Sequence, residues 1–141
     1  LVVAAIHSKL ELPRQRQTER LLRAMDNPYV RILAHPGGRL LGQRAPSQID
    51  WLAVLRKAGE RHIALELNSQ PERLDLDDVL CKMARDAGVL VSINSDAHSI
   101  GQLNAMRYGV DTARRGWSES RHILNTRPLP ELLAFLRERR P

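Results

Sequence analysis

Four short apolar runs rich in β-branched residues set the frame of this chain. They are Leu1 to Ile6, Val30 to Ala34, Ile63 to Leu67 and Val89 to Ile93, beginning about 26 to 33 residues apart. Runs of this length, bounded by turn residues, read as buried strands. Each is followed by apolar residues at helical spacing. The first helix is expected over Gln15 to Asp26, stopped by Asn27-Pro28. The second starts at Ser47 or Gln48, carries Trp51, Val54, Leu55 and Ala58 on one face, and ends at Gly59 as a C-cap. The third is N-capped by Asp75, buries Leu76, Val79, Leu80, Met83 and Ala87, and ends at Gly88. After the fourth strand come helical stretches over Ser99 to Arg107 and Val110 to Arg115, split at Gly109, and a turn from Ser118 or Glu119 through Leu124. A last helix spans Pro128 to Arg139, with Leu129, Leu132, Leu133 and Leu136 inward. Repeated strand–helix units with apolar strands predict an α/β fold with a parallel sheet under helices. Four strands do not close a barrel, so the expectation is an open sheet or part of a barrel.

The strand ends carry the chemistry. Val89 to Ser99 reads VLVSINSDAHS, a strand that runs into Asp96 and His98. Two residues apart, these side chains share a side if the backbone stays extended. Asp96 or Ser99 as a simple helix N-cap is the competing reading. The odds shift because His7 and His35 end the first two strands, while Glu66 and Asn68 end the third. On a parallel sheet all of them fall on one edge, and imidazoles with a carboxylate suit zinc, manganese or iron. His62, at the opposite edge, and His122, in a late polar turn, read as surface or structural residues.

Composition limits the alternatives. The formal net charge is +6, which suits an anionic partner, although 19 Arg against 3 Lys is also a skew that a GC-rich genome produces. Aromatic residues are 4% of the chain, which argues against a stacking platform for single strands. Arg39, after Pro36-Gly37-Gly38, is placed to hold a phosphate through its guanidinium; Arg44 and Arg73 lie in loops on the same edge and could follow a phosphate backbone. No Gly-Lys-Ser/Thr follows the glycines and no nucleophile elbow is present. The single Cys81 falls in an apolar helical pattern and forms no internal disulfide, which points to a reducing, cytoplasmic setting. No apolar run reaches membrane-spanning length. The chain begins with Leu, so a longer parent is expected.

In combination these segments resemble one family. Ala5-Ile6-His7-Ser8, NPYVRILAHPGGRLLG (27–42), ALELNSQPERLDLDD (64–78), SINSDAHS (92–99), MRYGVDTARRGW (106–117) and Ile123-Leu124-Asn125-Thr126 are similar to the polymerase and histidinol phosphatase (PHP) domain, in the version found at the C-terminus of bacterial family X DNA polymerases. The resemblance covers nearly the whole chain. It implies the C-terminal part, about four βα units, of a distorted seven-stranded β/α barrel, with residues 1–141 forming one partial domain. The family's His-x-His motif and bridging glutamate would lie upstream, and His35-Pro36-Gly37-Gly38 stands where His-Pro-Thr-Gly is more usual. It further implies a divalent-metal phosphoesterase holding up to three ions (Zn, Mn or Fe), with His7, His35, Asp96 and His98 as metal ligands and Arg39 near the substrate phosphate. DNA processed at its 3′ end, by 3′–5′ exonuclease action beside an upstream polymerase region, is the implied substrate. A small phosphate ester, in the manner of histidinol phosphatase, is the alternative. A non-catalytic DNA-binding or scaffolding module is the third reading.

Overall fold

The computed structural model describes residues 1–137. Strands β1 (Val2–Ala5), β2 (Val30–Ala34), β3 (Ala64–Asn68) and β4 (Val91–Asn94) form one parallel sheet in the order β1-β2-β3-β4. Spatial order therefore repeats chain order. Helices α1 (Arg14–Met25), α2 (Trp51–Glu60) and α3 (Asp78–Asp86) connect successive strands, and α4 (Met106–Arg115) and α5 (Leu129–Arg137) follow β4. Among the described residues no helix is long and apolar enough to cross a membrane.

The strands explain the layering. Successive side chains on a strand point to opposite faces. Leu33, Leu65, Leu67, Val91 and Ile93 join Leu21, Met25, Val54, Leu55, Ala58, Cys81, Ala84 and Ala113 of α1 to α4 in the main core. The alternate residues Ile32 and Ala64 pack with Leu124, and with Leu132 and Phe135 of α5, in a smaller cluster. Further along the strands this second set turns polar: Glu66, Asn68 and Ser92 are buried and Asn94 is half-buried. Polar groups buried on a sheet need partners, and those partners build the site below.

Several sequence expectations shift. The β1 strand is not buried: among the described residues it pairs only with β2, and Val2 and Val3 are 41% and 50% exposed. The N-cap of α2 is Asp50, which accepts from the Ala53 amide, and the helix runs through Gly59; the left-handed residue beyond it is His62. Asp77, not Asp75, caps α3 by accepting from the Leu80 amide at 2.8 Å. The helix thus starts two residues later than the pattern suggests, so Cys81 and Ala84 are buried while Val79 and Ala87 are exposed. Gly88 does follow the helix in the left-handed conformation. Ile100–Ala105 is a 3₁₀ segment, and α4 passes through Gly109 unbroken. Leu129 begins α5 but is exposed. The expected end of that helix at Arg139 lies outside the described residues.

Candidate functional site

The C-terminal ends of β1 and β2 bring two imidazoles together. The His7 and His35 rings stack with centroids 5.2 Å apart and planes 28° from parallel. His7 is exposed, whereas His35 is buried and its Nδ1 has no hydrogen-bond partner. Burial lowers the His35 pKa and the neighbouring Arg73 charge lowers it further, against an opposing pull from Asp96. His35 is thereby held neutral, the form that offers a lone pair.

Glu66 of β3 ties the strand ends. Its Oε2 accepts from the His35 backbone N–H at 2.7 Å, and its Oε1 accepts from Asn94 Nδ2 at 2.9 Å. Burial raises the Glu66 pKa, while these hydrogen bonds favour the carboxylate. Asn68 donates from Nδ2 to Asp96 Oδ2 at 3.0 Å, and Arg73 Nε lies 3.8 Å from the same oxygen.

The backbone after β4 is not extended. Asp96 has φ 49°, in the left-handed region. His98 is exposed, and its Nδ1 lies 2.8 Å from the Asp96 carbonyl oxygen. A carbonyl only accepts, so Nδ1 carries a proton, and in the neutral ring the lone pair is then on Nε2. Such a bond to a backbone carbonyl is the usual support of a ligating histidine.

The loop after β2 is held from within. The Asp75 carboxylate accepts from the Gly37 and Gly38 amides at 3.1 and 2.6 Å. Arg39 donates to the carbonyls of Arg73 (2.7 Å) and Leu74 and reaches Asp77 at 3.5 Å. Arg44 donates from Nε to the Gly38 carbonyl at 2.9 Å. These bonds stitch the β2 and β3 loops to one another, and the glycine amides already carry an internal carboxylate.

Comparison with known proteins bears on this edge. The chain is 43% identical over 137 residues to the DNA polymerase/3′-5′ exonuclease PolX of Bacillus subtilis (strain 168), covering 97% of this chain and 24% of that protein. It is 28% identical over 123 residues to a probable phosphatase of Clostridium novyi, covering 79% of this chain and 48% of the other. A probable phosphatase of Shewanella sediminis is 27% identical over 147 residues, covering 99% of this chain and 57% of the other. A polymerase–exonuclease and phosphatases are the two kinds of relative that the sequence motifs imply. The chain is similar to both kinds. It spans about a quarter of the Bacillus protein and about half of the two phosphatases. No protein-family model matches the chain.

Three features of this edge suit a divalent ion: the unpartnered buried Nδ1 of His35, the His98 ring, whose Nδ1 bonds a backbone carbonyl and leaves Nε2 as its coordinating atom, and a donor set of imidazole and carboxylate without thiolate. The ligand set is not closed. Among the described residues, no three His, Cys, Asp or Glu side chains are grouped to hold one ion. His62 is exposed, and His122 closes a capping box with Glu119. Sequence reasoning missed the roles of Glu66, Asp75, Asn94 and Asn125. The signal for two of them was present: polar residues alternating with apolar ones, as in Leu65-Glu66-Leu67-Asn68 and Ser92-Ile93-Asn94, inside strands too apolar to face water.

Proposed function

We propose that this chain is part of a metal-dependent phosphoesterase that shortens DNA from its 3′ end, in the context of a family X DNA polymerase. In this reading the four-stranded sheet is the C-terminal portion of a seven-stranded barrel. The reading is carried by the 43% identity to the Bacillus polymerase–exonuclease, which spans all four strand ends. His7, His35, Asp96 and His98 would hold the metal.

When bound, divalent ions supply Lewis acidity toward the phosphoryl group and lower the pKa of water. The chain's own residues do the rest. Burial favours the neutral form of His35, and the Nδ1 bond of His98 leaves Nε2 as its coordinating atom. Asp96 supplies negative charge and is steadied by Asn68. Arg73, beside Asp96, adds a cation to this edge that would favour an anionic phosphate. Arg39 and Arg44 act by holding the loop beneath, through the carbonyls they bind.

The phosphatase relatives support a second substrate, a small phosphate monoester. One experiment separates the readings. The full-length protein is given 5′-labelled single-stranded DNA or a small phosphate monoester, with Mn²⁺ or with chelator. Stepwise 3′ shortening that needs metal and is lost in His98→Ala is the expected result. Turnover of the monoester alone moves the assignment to the phosphatase class. DNA binding without turnover, indifferent to chelator, makes the chain a binding module.

A further inference from the structure

The third strand stands apart from the rest. It lies between β2 and β4, yet none of the four proposed ligands is on it. Its two buried polar residues, Glu66 and Asn68, are 5% and 0% exposed. Two residues apart on one strand, they share a face. Both reach neighbouring strand ends. Glu66 accepts from the His35 amide on one side (2.7 Å) and from Asn94 on the other (2.9 Å). Asn68 donates to Asp96 Oδ2 (3.0 Å), and its own Oδ1 accepts from the Gln70 amide (3.1 Å). The Asn68 backbone also pairs with Asp75, whose carboxylate holds Gly37 and Gly38 just beyond His35.

We infer that Glu66 and Asn68 are positioning residues: β3 supplies no ligand but sets His35 and Asp96 relative to each other. Three of these hydrogen bonds cross to a neighbouring strand end, at the His35 amide, at Asn94 and at the Asp96 carboxylate. Glu66 fixes where the chain leaves β2, because the bond is to the His35 amide itself. Through Asn94 it fixes β4 two residues before Asp96. Asn68 then orients the Asp96 carboxylate, which sits on left-handed backbone. An isolated structural pair on a sheet would have no reason to reach both neighbours at their functional ends. This inference rests on the proposed function for the importance of His35 and Asp96, but the geometry it invokes is tested without it.

The test uses Glu66→Gln and Asn68→Ala, with Leu67→Val as the control on the opposite face of the same strand. In the metal-free protein, NMR follows the His35 amide and the Asp96 side-chain carboxyl carbon. Glu66→Gln is expected to speed hydrogen exchange at the His35 amide, and Asn68→Ala to shift the Asp96 carboxyl signal. Leu67→Val should lower thermal stability and leave both signals in place. Calorimetric titration with Zn²⁺ is the second arm, with binding about 10- to 100-fold weaker in the two β3 variants and little changed in the control. Unchanged His35 and Asp96 signals in both variants would overturn the inference, as would equal effects from Leu67→Val. A wild-type protein that takes up no divalent ion would sink the proposed function, and the NMR arm would still decide the positioning role. If Asn68→Ala does not fold, Asn68→Asp keeps the volume and removes the donor, and the same two readings apply.

Discussion

Asn125 grips Ile93 at both of its backbone polar groups. Its Oδ1 accepts from the Ile93 N–H at 2.8 Å, and its Nδ2 donates to the Ile93 carbonyl at 3.0 Å. The amide does for β4 what a neighbouring strand would do, three residues before Asp96. Asn125→Ala should cost about 1–3 kcal/mol, since it strands a donor and an acceptor at a buried residue. Asn125→Asp should cost as much near neutral pH, because a carboxylate keeps the acceptor but turns an oxygen toward the Ile93 carbonyl. Urea unfolding of both variants checks this; a loss for Ala without a loss for Asp would show that only the acceptor matters.

The strand–helix alternation and the four strand ends were legible because they rest on local signals: β-branched runs, helical spacing and turn residues. Gly88 as the end of α3 was legible for the same reason, as was Cys81 as a small core residue. Asp75 was not. Near a run of acids before a helix it looks like a cap, but Asp77 takes that place and Asp75 turns inward to Gly37 and Gly38, over a sequence distance no local rule spans. The same holds for Glu66 with His35 and for Asn125 with Ile93. These pairs exist only once the sheet is assembled. The run from Leu1 to Ile6 reads as a buried strand yet β1 is exposed, because an apolar run does not state how many neighbours its strand will have.

Asp75 also gives a pH dependence. Burial raises its pKa above the ordinary carboxylate value of about 3.9, against the pull of the Gly37 and Gly38 amides. Between those two values the folded chain holds more protons at this site than the unfolded chain. The stabilisation from this group is therefore fully present below about pH 3.9 and is lost as pH rises through the folded pKa. Asp75→Asn removes that dependence. The stability difference, wild type minus variant, should fall as pH rises from about 4. Unfolding free energies measured across that range, with a flat difference, would contradict the sign.

Cys81 should behave as an inert thiol. It is fully buried, and burial, with Asp77 and Asp78 nearby, pushes its pKa up to about 12. A thiol-reactive disulfide reagent at pH 8 should leave it unlabelled in the native protein and label it promptly in urea. Fast labelling without denaturant would mean that α3 opens locally.

Gly109 marks a close approach of α4 to the sheet. A Cβ there would lie 2.7 Å from Ile93 Cγ2 and closer still to Ser69 Oγ. Gly109→Ala should therefore destabilise by about 1–3 kcal/mol, despite the better helix propensity of alanine. Gly101→Ala, where a Cβ would meet nothing within 4 Å, is the comparison. Thermal melts of the pair should separate clearly, and equal melting temperatures would mean that α4 shifts without penalty.

The strand order β1-β2-β3-β4 repeats the order of the chain. Each residue at the rim therefore rides on its own strand–helix segment, followed by its own loop. An exchange in one loop alters its own sector first, whereas the loops after β2 and β3, bonded to each other through Asp75 and Arg39, change as a pair. Such an edge is open to piecemeal diversification while the sheet beneath stays as it is.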